Sequence, residues 1–66
     1  MHEKLSDREL EVFRLIARGK SVKEIAGELA LSEKTVGTYI GRIKEKTGLS
    51  SYVEITRYAF QNKLVE

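Results

Sequence analysis

Two copies of one four-residue signal constrain this chain more than anything else in it: Ser6-Asp7-Arg8-Glu9 and Ser21-Val22-Lys23-Glu24. In such a capping box the serine hydroxyl accepts from the backbone N–H three residues on. The glutamate reaches back to the serine N–H. Each box therefore starts a helix. Leu5 before the first cap and Leu10 after it can form a hydrophobic staple. Val12, Phe13, Ile16 and Ala17 then fall on one apolar stripe, and Gly19 after Arg18 suits a left-handed cap. The first helix is expected over about 7–18 and the second over about 22–29. The second carries Val22, Ile25, Ala26 and Leu29 on one side, and small Ala26 permits a close neighbour.

Only Ala30-Leu31 separates this helix from the next cap, Ser32. From Glu33 the apolar line Val36, Ile40, Ile43, Thr47 recurs every three or four residues, and Gly48 ends it, giving a third helix over 33–47. Ser50 or Ser51 caps a fourth over about 51–62, in which Ile55, Tyr58, Ala59 and Asn62 can face the core. Leu64 and Val65 are expected to fold back as an apolar tail. Proline is absent, strict apolar–polar alternation is absent, and no repeat or linker interrupts the chain. The expected fold is all-α: a compact four-helix bundle containing a helix-turn-helix, as a single domain over residues 1–66.

A chain of 66 residues buries only about 60% of its unfolded surface, so its stability is modest. No cysteine is present to add a disulfide or a thiolate metal site. Hydrophobic residues at 41% and charged residues at 33% give the balance of a folded domain rather than a disordered one. There is no apolar run of about 18 residues, and Met1-His2-Glu3-Lys4-Leu5 does not read as a signal peptide. A soluble cytoplasmic protein is expected. Catalysis has no candidate residues: His2 is alone near the terminus, Glu9 and Glu24 are capping partners, and there is no glycine-rich phosphate loop. The expectation is a non-enzyme with no cofactor and no metal.

Net charge is +2, and its distribution is more informative than its size. Residues 1–31 and 48–66 each sum to zero, so the whole excess lies in 33–47, where Lys34, Arg42, Lys44 and Lys46 outnumber Glu33 and Glu45. A basic excess confined to one helix fits a phosphate-facing element. On charge alone, an unevenly charged solvated face is the more ordinary reading. The polarity of the helix decides between them. With Val36 at the centre of the buried face and about 100° per residue, Lys34, Gly37, Thr38, Gly41 and Glu45 point outward. Arg42 and Lys44 flank that surface, and Thr35 and Tyr39 are expected on its other border. The N-terminal residues of a recognition helix reach base edges. Lysine donates to guanine O6 and N7, and threonine bonds a base or touches a thymine methyl. Arg, Tyr and Thr at the borders suit phosphates, which fix register without reading sequence.

The fourth helix carries a second line, Val53, Thr56, Arg57 and Phe60, spaced to lie on one face. Such a face fits a two-fold dimer contact. Its bland alternative is a valine and a phenylalanine exposed singly, which is common.

These residues together resemble the LuxR/FixJ-type helix-turn-helix domain, the C-terminal effector domain of NarL-type response regulators and of quorum regulators. The matching text is Leu5-Ser6-Asp7-Arg8-Glu9, Gly19, Ser21-Val22-Lys23-Glu24-Ile25-Ala26, Leu29, Ser32, Thr35-Val36, Ile43, Lys46 and Leu64-Val65, from Leu5 to Val65. The resemblance implies double-stranded DNA binding for transcriptional regulation, as a homodimer through the last helix. In the response-regulator branch, it implies a phosphorylated receiver domain before Met1. Carried over by position, base contacts fall on Lys34, Gly37, Thr38 and Gly41. Phosphate contacts fall on Thr35, Tyr39 and Arg42, with the start of the second helix, Ser21 to Lys23; Lys44 joins them as a further cation. RNA polymerase is a possible partner, and no membrane is implied. The alternative function is a protein-interaction module on the same bundle, using Gly37, Gly41 and the fourth helix.

The chain departs from the family where Gly37 and Gly41 stand in place of the usual long polar residues. Tyr39 replaces a frequent histidine, Tyr52 a frequent arginine, and Lys63 a usual glycine. Each helical glycine costs about 1 kcal/mol relative to alanine. Three readings stay open for the pair: close approach of the backbone to DNA, narrow base readout, or contact with another protein helix.

Overall fold

The computed structural model describes residues 4–62. It contains α1 (Asp7–Ala17), α2 (Val22–Leu29), α3 (Glu33–Thr47) and α4 (Tyr52–Gln61). Both capping boxes form as expected. Ser6 N–H donates to Glu9 Oε1 at 2.9 Å and Glu9 N–H to Ser6 Oγ at 3.2 Å. The second box repeats this with Ser21 and Glu24 at 2.9 and 3.1 Å. Ser32 caps α3 and Ser51 caps α4, each accepting from the N–H three residues on. Ser50 instead donates to the Glu54 carboxylate.

The helix ends are equally local. Gly19, at φ 87°, follows the Arg18 cap, and Lys20 N–H returns to Leu15 carbonyl at 3.0 Å. Gly48, at φ 75°, closes α3 by donating to Lys44 carbonyl at 2.9 Å. The turn between α2 and α3 is less expected. Ala30 adopts the left-handed conformation at φ 56°, ψ 42°, which costs an L-residue with a Cβ about 1–2 kcal/mol. Its return comes one residue later: Leu31 N–H bonds Ala26 carbonyl at 2.9 Å, and the Leu31 side chain packs against the core. That turn is what aims α3 away from α2.

The core is one cluster: Val12, Phe13, Ile16 and Ala17 of α1, Ile25 and Ala26 of α2, Val36, Ile40 and Ile43 of α3, and Ile55 and Ala59 of α4. Leu5 and Leu10, the expected staple pair, both pack against it. Helix α1 touches all three others, α2 pairs with α3, and α4 leans chiefly on α1. Phe13 meets Tyr58 edge-on, with centroids 6.1 Å apart and planes at 89°. Thr47 is buried with α3's apolar line and is satisfied by donating to Ile43 carbonyl at 2.7 Å. Asn62 corrects one expectation. It is exposed rather than core-facing, because as the cap of α4 its amide is drawn back to Tyr58 carbonyl at 2.9 Å. The expected fold-back of Leu64 and Val65, and His2, lie outside the described residues. No helix among the described residues is long and apolar enough to cross a membrane.

Glu9 does more than cap. Its carboxylate, 3% exposed, also accepts from Lys46 Nζ at 2.7 Å and so ties the start of α1 to the end of α3. The Lys46 ammonium first, then the Ser6 N–H, hold the Glu9 carboxyl below its ordinary pKa, against the opposing effect of burial. A depressed folded pKa contributes stability above the unfolded pKa, and that stability is lost as pH falls through the folded value. Urea unfolding at a series of pH values should therefore show the wild type losing stability below about pH 4.3. Glu9→Gln should be less stable near neutrality, decline less steeply in acid, and converge with the wild type there. Parallel curves would show that Glu9 is not the group that titrates.

Candidate nucleic-acid interface

The exposed face of α3 is built by subtraction. Val36, Ile40, Ile43 and Thr47 turn inward, so the residues opposite them turn out. Lys34, Gly37, Thr38, Gly41 and Glu45 are all exposed, which places the four expected base-reading positions on one continuous strip. Thr38 donates its hydroxyl to Lys34 carbonyl at 3.2 Å. Its oxygen is left able to accept from a base amino group, and its methyl can meet a thymine methyl.

A Cβ built on Gly37, Gly41 or Gly27 meets nothing within 4 Å. Packing inside the domain therefore requires none of the three. Gly27→Ala, Gly37→Ala and Gly41→Ala should each raise the stability of the free domain by about 0.5–1 kcal/mol, read as a shift of the urea midpoint at unchanged slope. A loss of stability at position 37 or 41 would reveal an internal role for that glycine.

The expected phosphate-facing residues divide into groups. Ser32 Oγ accepts from Thr35 N–H at 3.0 Å and donates to Thr35 Oγ1 at 2.9 Å, so the Thr35 hydroxyl proton is free for an outside acceptor. Ser21 Oγ is engaged only as the acceptor of the Glu24 N–H, and Lys23 beside it is exposed. Glu24 is held below its ordinary pKa by its bonds with Ser21, so it stays ionised within its box. Tyr39 is half-buried with its ring against the core. The Arg42 guanidinium lies over that ring, 5.9 Å from its centroid.

This contact corrects the expected arrangement. Arg42 shares a border with Tyr39, and Lys44 does not: eight residues beyond Val36, it turns about 80° to the other side and is half-buried. A second correction concerns the basic excess. Lys46 stays exposed but is paired with Glu9. Lys34, Arg42 and Lys44 have no carboxylate among the described residues within ion-pair distance.

On α4, Val53 and Phe60 are 66% and 58% exposed, and with Tyr52 they are the large hydrophobic side chains left open among the described residues. Arg57 lies exposed between them and Thr56 is half-buried. Beside this face an open groove of about 590 Å³ runs along Ile16, Gly19, Lys20, Ser21, Tyr52, Val53, Thr56 and Arg57. The Tyr52 hydroxyl is pushed above its ordinary pKa by burial and stays protonated. No cluster of three His, Cys, Asp or Glu side chains suited to a metal occurs among the described residues.

A short helix joined by a left-handed turn to a longer one that offers a polar and cationic face defines a helix-turn-helix domain of the DNA-binding, transcription-regulating class. The chain belongs to the luxR family of bacterial regulatory proteins, which its residues 3–59 match. It is 47% identical over 64 residues to the transcriptional regulatory protein LiaR of Bacillus subtilis (strain 168), covering 97% of this chain and 30% of LiaR. It is 48% identical over 62 residues to the oxygen regulatory protein NreC of Staphylococcus aureus (strain JH9), covering 94% of this chain and 29% of NreC. The chain thus spans under a third of the length of these curated relatives.

Proposed function

We propose that this domain is the sequence-reading output part of a bacterial two-component response regulator, with a receiver domain preceding it in the full protein. Two copies bind adjacent half-sites of an inverted repeat, and each inserts α3 into the major groove. Lys34 and Thr38 supply side-chain base readout, while Gly37 and Gly41 leave the helix backbone bare between them. Ser21, Lys23, Thr35, Arg42 and Lys44 hold phosphates, and Tyr39 lies among them. Val53, Thr56, Arg57 and Phe60 form the two-fold contact, small enough that DNA or an upstream domain strengthens it. RNA polymerase is the natural partner of a regulator bound upstream of a promoter.

The observation that carries this reading is the exposed strip of α3. Lys34, Gly37, Thr38 and Gly41 share it, and the cations beside it, Arg42 and Lys44, have no internal ion pair among the described residues. The test is binding to random-sequence duplex DNA at several salt concentrations, with sequencing of the bound fraction. A steep fall of affinity with salt and enrichment of a two-fold repeated motif are expected. No binding at low salt, at protein concentrations above about 10⁻⁴ M, would overturn it in favour of a protein-interaction module on the same bundle.

A further inference from the structure

We propose that Tyr39 is a positioning residue for Arg42, acting through its ring rather than through its hydroxyl. The inference rests on the DNA reading above and refines the role of one residue in it. Three observations carry it. First, the Arg42 guanidinium sits over the Tyr39 ring at 5.9 Å, within the range of about 6 Å at which a ring's quadrupole attracts a cation. Second, the ring is itself fixed, because Tyr39 is half-buried and packs against the core. Third, Arg42 leaves an obvious alternative unused. Glu45 is three residues further along the same helix, the spacing at which opposite charges pair, yet no ion pair joins them.

A flexible arginine on an exposed helix face samples many rotamers, and binding must freeze them, at a cost of about 0.5–1.5 kcal/mol per long side chain. Resting the guanidinium on a fixed ring removes part of that loss before the ligand arrives. A cation held over a ring face occupies no hydrogen-bond acceptor, so the guanidinium N–H donors stay open to two phosphate oxygens at once. Had Arg42 paired with Glu45, those same donors would be occupied and its charge cancelled. The Tyr39 ring thus keeps Arg42 on the Thr35 side of the helix, away from the acidic Glu45 and about two turns along the same face from the Thr35 hydroxyl. The two residues then serve one stretch of phosphate backbone.

The test is a double-mutant cycle read on duplex DNA carrying the selected motif. Tyr39→Phe keeps the ring and is expected to bind within about twofold of the wild type. Tyr39→Leu keeps an apolar side chain of similar reach for the core and is expected to bind about two- to fivefold more weakly. In an Arg42→Ala background, Tyr39→Leu should cost nothing further, which a merely structural role could not produce. A readout independent of DNA accompanies it: in the free wild-type and Tyr39→Phe domains the Arg42 side-chain protons should show an upfield ring-current shift that Tyr39→Leu abolishes. Loss of binding in Tyr39→Phe equal to that in Tyr39→Leu would make the hydroxyl the contact and overturn the proposal. So would additive effects of Tyr39→Leu and Arg42→Ala. Failure of the wild type to bind any duplex would instead sink the DNA reading itself, and the proposal with it.

Discussion

Phe13→Ala is expected to cost the domain about 3–5 kcal/mol of folding stability. Phe13 is fully buried, and removing a buried phenylalanine ring costs about 3–5 kcal/mol, the lost transfer energy plus the cavity left behind. A domain of 66 residues has about 3–10 kcal/mol of stability in all. One substitution thus removes between a third and the whole of it. The site is poorly placed to collapse, because α1 is the helix that touches the other three. Phe13 also holds α4 through its edge contact with Tyr58, so the loss reaches the Val53–Phe60 face as well. The check is far-ultraviolet circular dichroism with urea unfolding. Phe13→Leu, which keeps most of the volume, should retain helicity and lose much less. A Phe13→Ala protein with wild-type helicity and an unchanged urea midpoint would mean that α1 is not the hub of the core.

The helices of this core were readable from the sequence, because their signals are local. A capping box spans four residues, and an apolar stripe repeats within one turn, so Ser6, Ser21 and Ser32 and the line Val36–Ile40–Ile43–Thr47 announce themselves without tertiary information. Boundaries differed by a residue at most, with Arg18, Ser51 and Asn62 serving as caps rather than helix. The outward strip of Lys34, Gly37, Thr38 and Gly41 was legible for the same reason: helical geometry fixes which residues oppose the buried line.

What was not legible depended on distance or on a rotamer. The Lys46–Glu9 ion pair joins residues 37 apart in the chain, so counting charges along α3 takes as unpaired a cation that already has a carboxylate partner. The border on which Arg42 lies differs from that of Lys44. Six residues beyond Val36 at about 100° per residue, Arg42 falls with Thr35 and Tyr39, and its position over the Tyr39 ring agrees. Ala30 gave no warning at all. A left-handed residue is ordinarily glycine, and here the strain of an alanine is offset by the Leu31 side chain packing against the core and by the Leu31 N–H bond to Ala26 carbonyl.

Lys34→Ala is expected to cost about 1–3 kcal/mol of binding to the selected site, roughly 5- to 150-fold. Random duplex DNA should lose much less, since only the selected site supplies a base edge for this side chain. The expectation follows from what Lys34 does not do. It is exposed, has no carboxylate partner among the described residues, and is the second residue of α3. A cation there opposes the positive end of the helix dipole, an effect of about 0.3–1 kcal/mol against the fold. Folding therefore gains nothing from this lysine, and Lys34→Ala should unfold at slightly higher urea than the wild type. Arg42→Ala supplies the contrast. It should weaken selected and random DNA alike and flatten the dependence of affinity on salt, as the loss of a phosphate contact does. Equal losses on both DNAs for Lys34→Ala would move Lys34 into the same class as Arg42 and leave Thr38 as the side chain reading bases from this strip. A domain stabilised by the substitution yet crippled on its own site would mean that a local disadvantage in α3 is kept for what the helix does outside the fold.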